Sequence, residues 1–479
     1  MNPPQVLWPP DEKVKLIGAL SRPQVVGVGA AFGVFGAGIA IDQPIGAGIA
    51  AIPVLLWTML SWRGMPIRTR VVDRMRWLAR RDRVWSATTR GALATPSYLR
   101  WITLHLATDT EQEGAVGVVE APGGAYTVVI PADCPSLAFL PSAGQAERFD
   151  SWGDLLGGLC IEPGTALTAE RIGWTDIHRA SDPTALVRHH RELGVDGPAS
   201  EDYAQYVSGF GAISSSHQLL LAVTITRAGR LRVARQQGFT GGPGEVMLAA
   251  AVAVGRQVSQ ELTRRGFTTA PMLSPAELGR MIVETGDPFE ARREDPTGRE
   301  RFAMPERCGP NHFTVGRDQL AIDGAYHRVF SITWPRTKVD ADWLWKPLGM
   351  EGPKVVTVLF EPIAPSRADA RREALTTRAA SNNTIVAMNR GRVRTTDKRK
   401  TQALQSAEQA VAAGHQELDG YGLIVISART PQDLNRRCQM LRQKLRESGR
   451  AGVRELTGQH DFGFVAALPL GVYVKPSVE

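Results

Sequence analysis

The sequence predicts an α+β protein, in which an N-terminal transmembrane helical hairpin precedes cytoplasmic split βαβ (ferredoxin-like) subdomains with a long helical hairpin insertion. Three observations predict this fold class. Two uncharged apolar runs lie near the N-terminus, at 25–41 and 45–62. Beyond residue 100, a strand, a long helix and another strand follow one another twice. A long polar helical stretch, 366–418, separates two strands of the second group.

These patterns divide the chain into consecutive predicted parts. They are a cytoplasmic N-terminal segment (1–23), the transmembrane hairpin (24–62), a basic juxtamembrane helix and linker (63–100), a first α+β region (101–286), a loop (287–324), and a second α+β region (325–479) that contains the helical hairpin 366–418. A chain of 479 residues is long enough for such an arrangement and for a substantial core.

The composition is that of a folded protein with few cysteines. Apolar residues make up 43% of the chain, and 56 Lys and Arg against 48 Asp and Glu give a formal charge of +8. Because this excess is modest, the position of the basic residues matters more than their sum. The scattered cysteines Cys134, Cys160, Cys308 and Cys438 form no C-x-x-C pair. This spacing favours a reducing compartment over a disulfide framework or a zinc knuckle.

The two apolar runs are predicted to form a membrane hairpin. As a helix, each run reaches roughly 26 Å, close to the hydrocarbon thickness of a bilayer. The turn between them, 42–44, is too short to let the helices separate. Small residues at a four-residue spacing would let the two backbones pack closely: Gly29, Gly33, Gly46 and Ala50. The alternatives are a cleaved signal peptide and a buried hairpin of a soluble domain.

Basic residues on both sides of the hairpin predict its orientation. Those that follow it are Arg63, Arg68, Arg70, Arg74, Arg76, Arg80, Arg81 and Arg83. The turn carries no base, so the positive-inside rule places both termini in the cytoplasm and the protein in the inner (plasma) membrane. The basic stretch would either lie on anionic lipid or act only as a stop-transfer anchor.

The first α+β region reads as a β-hairpin followed by helices and strands. The predicted elements are a hairpin at 117–131, helices at 144–160 and 184–208, a strand at 217–227, a long helix at 245–266, and a returning strand at 267–272. The helix at 245–266 follows a glycine-rich loop and ends at a glycine, as is usual at helix termini.

The second α+β region repeats this order around the helical insertion. The predicted elements are strands at 326–335, 353–363, 422–428 and 453–456, with a helix at 430–449. The tip of the inserted hairpin is basic: Arg390, Arg392, Arg394, Lys398, Arg399 and Lys400. Such a tip could contact DNA, an acidic protein or lipid headgroups, or simply be solvated. It lacks interleaved aromatic residues, so a stacking groove for single strands is not predicted.

Motifs of catalysis are missing from the sequence. The dipeptide Gly-Lys does not occur, so the phosphate-binding lysine loop of many ATPases is absent, and neither H-E-x-x-H nor G-x-S-x-G is present. Cys308 and His312 offer only two metal ligands, and the adjacent His189 and His190 suit a solvated helix face. The glycine-rich loop 238–244 has no lysine. We therefore expect no enzyme activity, no cofactor and no metal.

Several segments of the C-terminal third resemble a known family. The segments are HRVFSITWPR (327–336), VVTVLFEPIAPSRA (355–368), GYGLIVISARTPQDLNRRC (420–438) and GQHDFGFVAALPLG (458–471). They resemble the N-terminal, non-motor domain of the large ATPases that drive conjugative type IV secretion. The N-terminal hairpin resembles the small two-helix inner-membrane subunit found beside that ATPase. The combination is similar to a family of membrane proteins of actinobacterial conjugative elements.

This resemblance implies a non-enzymatic inner-membrane component of a DNA-translocation apparatus. Its expected partners are a hexameric ATPase on a separate chain, other channel subunits, membrane lipid, DNA and further copies of itself. In the ATPases, a stretch like 458–471 leads into the motor, so the apolar residues expected to dock a motor are Phe462, Phe464, Val465 and Leu468. The alternatives are the E-type membrane component of type VII secretion and a membrane-tethered nucleic-acid-binding protein.

Overall fold

The computed structural model describes most of the chain beyond residue 100. The described ranges are 102–109, 114–121, 123–133, 141–159, 166–180, 197–210, 215–289, 312–333, 348–388, 416–449 and 452–472, with short stretches and single residues elsewhere. The chain divides into two compact units. Unit 1 comprises 1–8, 82–371 and 408–474, and unit 2 comprises 9–81, 372–407 and 475–479.

The strands are numbered along the chain. They are β1 (Gln5–Val6), β2 (Lys15–Ile17), β3 (Leu20–Ser21), β4 (Ser61–Trp62), β5 (Met65–Pro66), β6 (Val84–Ser86), β7 (Thr103–Asp109), β8 (Gly114–Ala121), β9 (Ala125–Asp133), β10 (Arg171–Ala180), β11 (Ser215–Thr226), β12 (Thr268–Thr269), β13 (His312–Val315), β14 (Leu320–Ile322), β15 (Ala325–Thr333), β16 (Val339–Asp340), β17 (Lys354–Pro362), β18 (Leu418–Ala428) and β19 (Gly452–Glu455).

The helices are numbered in the same way. They are α1 (Ser142–Gly157), α2 (Pro198–Phe210), α3 (Arg227–Gln236), α4 (Pro243–Arg264), α5 (Pro275–Gly286), α6 (Pro365–Met388), α7 (Pro431–Gly449) and α8 (His460–Ala467). The cap of α5 explains where it begins. Ser274 accepts a hydrogen bond from Glu277 N, Glu277 accepts one from Ser274 N, and a proline occupies the first turn.

One large antiparallel sheet organises unit 1. Among the described strands, thirteen belong to it, in the order β6-β13-β14-β15-β18-β17-β10-β11-β9-β8-β7, with β12 beside β9 and β19 beside β15. The predicted fold class of separate split βαβ subdomains is therefore wrong. Strand β10 of the first half pairs with β17 of the second half, from Ile172↔Phe360 to His178↔Lys354. The prediction failed because it grouped neighbouring elements, whereas this pairing joins strands distant in sequence.

The predicted transmembrane hairpin and inner-membrane localisation are also contradicted. Among the described residues, no helix is long and apolar enough to cross a membrane. A spanning helix needs about 20 consecutive apolar residues. The described helical residues of this region are 28–33 and single positions between 35 and 52, and the rest of the two apolar runs lies outside the described residues.

The sheet of unit 1 curves around helix α5. From β8 to β14 the sheet crosses seven strand spacings, an arc of about 34 Å. Helix α5 is only about 18 Å long, yet it reaches both strands. A Cβ at Gly117 of β8 would lie 2.5 Å from Leu278, and one at Gly286 would lie 3.2 Å from Ile322 of β14. The core on this face therefore lies inside the curve of the sheet.

Helices α4 and α7 cover other parts of the sheet. The buried residues of α4 pack with those of β9 and β11 in one core cluster, and Leu434, Leu441 and Leu445 of α7 pack in another with β15 and β18. Helix α4 lies so close to strand β9 at Gly255 that a Cβ there would lie 2.5 Å from Val128, so this position requires glycine. Trp174 of β10 packs against both clusters.

Helix α8 fits tightly into the core. A Cβ at Gly463 would lie 2.6 Å from Leu456 Cδ1 and 2.8 Å from Val329 Cγ1, and both neighbours are buried. An added methyl group must displace packed side chains, since protein interiors are dense. Gly153 of α1 offers a contrast, because a Cβ there would meet no heavy atom within 4 Å.

We predict opposite effects of alanine at these two helical glycines. Gly463→Ala should lower the free energy of unfolding by about 1–3 kcal/mol through overpacking. Gly153→Ala, the matched control, should raise it by roughly 0.5–1 kcal/mol, because alanine favours a helix over glycine. Urea unfolding of the full chain measures both. Equal stability of the two variants would contradict this packing of α8.

Candidate functional site

The residues predicted to dock a motor lie in the core of unit 1. Phe464 and Val465 have no exposed surface, and Leu468 is 2% exposed. Phe462 is half-buried. The three buried side chains pack with Phe313 and other residues of the curved face in one cluster. These three side chains offer no surface to a partner while α8 is folded in place, and their docking role stays a prediction.

Polar contacts also hold the ends of α8 in the core. The backbone N–H of Val329 donates to His460 Nδ1 at 3.2 Å. At the other end, the hydroxyl of Thr357 donates to the carbonyl of Ala467. Since β15 and β17 carry these groups, α8 bridges two strands of the sheet.

A partly buried ionic cluster lies on β15, α7 and β19. Glu455 accepts from Arg442 at 2.7 Å and lies 3.5 Å from Arg328 Nε. Burial raises the pKa of Glu455, although the two arginines oppose this effect. The pKa of nearby Cys438 is raised to about 11, chiefly by burial, so its thiol stays protonated at neutral pH and is a poor nucleophile. This cluster therefore suits a structural role.

A second group of polar side chains meets where β10, β11 and β17 lie side by side. We call it the polar cluster: Asp176, His178, His217 and Lys354. His178 is paired directly with His217 on β11 and with Lys354 on β17, so these three residues share one face of the sheet. Asp176, two residues before His178, lies on the same face because side chains alternate along a strand.

Asp176 is the centre of the polar cluster. It is 8% exposed, and its Oδ2 accepts a hydrogen bond from His178 Nε2 at 3.0 Å. An ionised carboxylate only accepts hydrogen bonds, so the proton belongs to the imidazole. The other oxygen, Oδ1, lies 3.7 Å from Nδ1 of His217, whose side chain is 66% exposed. The two imidazole rings are stacked at a centroid distance of 5.8 Å.

Lys354 contributes a buried amine to the polar cluster. It is 3% exposed and donates to the carbonyl of Met350. Burial lowers its pKa to about 8; the charge of Asp176 opposes this shift, and that of Arg437 adds to it. A buried amine of this kind can change protonation close to neutral pH, since its charge is poorly solvated.

The polar cluster brings a carboxylate, two imidazoles and a buried amine together on one face of the sheet. Among the described residues, no group of three or more His, Cys, Asp or Glu side chains is placed to hold a metal ion. Asp176 is hydrogen-bonded to His178, and Lys354 is hydrogen-bonded to the carbonyl of Met350. These side chains therefore already have partners inside the protein. The arrangement therefore favours a fixed electrostatic feature of the sheet.

A shallow depression, open to solvent, lies on α3 beside Leu231, Arg232, Arg235 and Gln236. The glycine-rich loop 238–244 follows α3 and leads into α4, where Glu245 accepts a hydrogen bond from Gly242 N at 2.8 Å. This carboxylate occupies the positive end of the α4 dipole. It therefore disfavours phosphate binding at the loop, which has no lysine.

Helix α2 is exposed along its described length. Tyr203 and Tyr206 are 47% and 66% exposed, and every other described side chain of the helix except Ser200 is also exposed. Next to it, His190 is half-buried rather than solvated as the sequence suggested. Its ring lies 4.7 Å from that of Tyr203, and its Nε2 lies 2.7 Å from Ser200 Oγ.

The remaining predicted sites are only partly described. The juxtamembrane arginines, Gly46, Ala50, Cys308 and the basic tip from Arg390 to Lys400 lie outside the described residues. Gly29 and Gly33 are helical and exposed, and a Cβ on either would meet no heavy atom within 4 Å. His312 lies 3.1 Å from the hydroxyl of Thr314.

Sequence reasoning missed the polar cluster because it missed strand β10. A weaker signal was present: Ile172, Trp174, Thr175 and Ile177 are β-branched or aromatic residues, which are enriched in strands. Its polar members obscured the pattern. The partners His217 and Lys354 come from strands far along the chain, so their meeting depends on the sheet order.

No known protein family matches this sequence, and no curated protein matches it.

Two buried histidines link stability to pH. His327 has no exposed surface, donates from Nε2 to the carbonyl of Gly286 at 2.8 Å and has Nδ1 2.8 Å from Ser427 Oγ. Burial lowers its pKa from 6.5 to about 4. The pKa of His460 falls to about 3, through burial and then the charge of Arg328.

We predict that stability declines as pH falls from 6.5 towards 4. In this window unfolded histidines bind protons and the buried ones do not, so protons favour the unfolded chain. His327→Gln should reduce the slope of unfolding free energy against pH, by up to about 1.4 kcal/mol per pH unit. Urea unfolding over a pH series measures the slope. The exposed His312→Gln is the control, and an unaltered slope in His327→Gln would contradict the prediction.

Proposed function

We propose that this chain is a non-enzymatic docking component of a conjugation-type DNA-translocation apparatus, which recruits a separate ATPase. The observation that carries the proposal is the packing of the segments that resemble the non-motor domain of such ATPases. Strands β15, β18 and β17 lie side by side. Helix α7 packs on one face of them, and α8 belongs to the core of the other face. The four segments thus belong to one packed body.

The chemistry of the buried groups supports a binding role over catalysis. The thiol of Cys438 is held protonated, and the imidazole of His327 is held neutral, each chiefly by burial. Both are remote from solvent, since neither has exposed surface. Together with the missing phosphate-binding motif, this favours a partner as the source of ATP hydrolysis.

The exposed side of α7 is the proposed contact surface for the ATPase. Met440 is 40% exposed and lies among the charged side chains of this helix. Arg436 lies one turn before it, and its side chain is 74% exposed and pairs with Asp433 at 2.8 Å. Methionine suits adaptable protein contacts, and arginine is enriched at interfaces.

We predict that the purified full chain binds the purified ATPase encoded in the same genetic element. Arg436→Glu should weaken binding by about tenfold or more, since it reverses a charge at the contact. Arg264→Glu is the matched control, because Arg264 is also 74% exposed and pairs with a carboxylate three residues away. Surface plasmon resonance measures the affinities. No binding of the ATPase to the wild-type chain would contradict the function, and equal loss in both variants would contradict the surface.

A further inference from the structure

We propose that two copies of this chain form a two-fold dimer, in which strand β7 of one copy pairs antiparallel with β7 of the other. This inference is independent of the proposed ATPase, because both contacting strands belong to this chain. It rests on three observations: an edge strand that lacks the usual protection, backbone groups directed away from its neighbour, and an exposed leucine at its centre.

Strand β7 lies at one end of the large sheet. Among the described strands, only β8 pairs with it, from Thr103↔Glu120 to Asp109↔Gly114. Proteins usually protect such an edge with lysine, with proline or by making the strand very short. The seven residues of β7 include no Lys, Arg or Pro. At the other end of the sheet, β6 has only three residues. Strand β7 is therefore the edge better suited to pair with a further strand.

The backbone of Leu106 faces away from β8. Leu106 lies opposite Gly117 in the ladder. The N–H of Gly117 donates to the carbonyl of Leu273 at 2.8 Å, so it points away from β7. Two opposed residues of an antiparallel ladder either exchange both hydrogen bonds or direct both sets of backbone groups outward. The N–H and C=O of Leu106 therefore point to the outer edge, and those of Leu104 and Thr108 follow by alternation.

The side chain of Leu106 is apolar and lies at the same edge. It is 68% exposed, whereas Leu104, on the same face of the strand, packs partly against the core inside the curve of the sheet. Helix α5 covers the neighbouring strand at this level, since a Cβ at Gly117 would lie 2.5 Å from Leu278. Leu106 therefore lies where the cover of α5 ends, and a second molecule can extend this apolar face.

A second copy of β7 matches this edge over its full length. Leu106 is the central residue of Thr103–Asp109, so complete antiparallel overlap places it opposite its own counterpart. Leu104 then lies opposite Thr108 of the other copy, and about six N–H···O bonds join the two strands. The leucines of both copies form one apolar strip. No like charges are opposed, because the one acidic residue of the strand lies opposite a threonine.

The contact joins the same strand of both copies, so it is isologous and closes as a dimer. The two sheets become one continuous sheet through a ladder about 24 Å long. A single pair of strands buries less area than a standard interface, so association is expected at micromolar concentration.

The test is sedimentation velocity of the purified full chain over a concentration series. Wild type should pass from monomer to dimer and form nothing larger. Leu106→Lys and Leu106→Asp should each raise the dissociation constant of the dimer by about tenfold or more, because each places like charges opposite one another. Tyr206→Lys is the matched control, since Tyr206 is 66% exposed on helix α2, and this variant should dimerise like wild type.

Mixing the two Leu106 variants tests the register. The introduced lysine of one copy then lies opposite the introduced aspartate of the other, so the mixture should dimerise more tightly than either variant alone. Variants that dimerise like wild type, or a mixture that shows no recovery, would overturn the proposal. Circular dichroism verifies that each variant is folded.

Hydrogen exchange of the wild-type chain tests the same edge without any substitution. The amides of Leu104, Leu106 and Thr108 should exchange rapidly in the dilute monomer and slowly in the concentrated dimer. A wild type that is monomeric at every concentration would leave the edge to a different protein and overturn the proposal. Protection of these amides in the monomer would also overturn it, because another segment of the same chain would then occupy the edge.

Discussion

The ladder between β10 and β17 is the interaction on which the rest of unit 1 depends. It joins the strands of the first half of the chain to those of the second half, from Ile172↔Phe360 to His178↔Lys354. Within it, the hydroxyls of Thr175 and Thr357 lie 3.2 Å apart, and Thr357 also donates to the carbonyl of Ala467. The ladder therefore connects the two halves of the sheet with each other and with helix α8.

The curvature of this continuous sheet explains why the apolar segment 462–468 is buried. The sheet curves around α5 and leaves a concave face that needs apolar cover, and Phe464, Val465 and Leu468 supply it. Contacts with other molecules must then use exposed features, such as Met440 of α7 or Leu106 of β7.

Local elements were predictable from the sequence, whereas the sheet order was not. The helix predicted at 430–449 is Pro431–Gly449, because Thr430 and a terminal glycine mark its ends. The hairpin around 122–124 was predicted by its turn residues and forms β8 and β9. Strand β10 was missed because Asp176 and His178 interrupt its apolar pattern. The polar cluster was missed with it, since residues from three distant strands meet only after the sheet forms.

Native-state hydrogen exchange of the β10 and β17 amides tests the central claim most directly. If one ladder unites the sheet, amides of both strands exchange only through global unfolding, with equal opening free energies that respond alike to urea. Opening of β17 in a separate and less stable step, while β10 remains protected, would contradict a single continuous sheet.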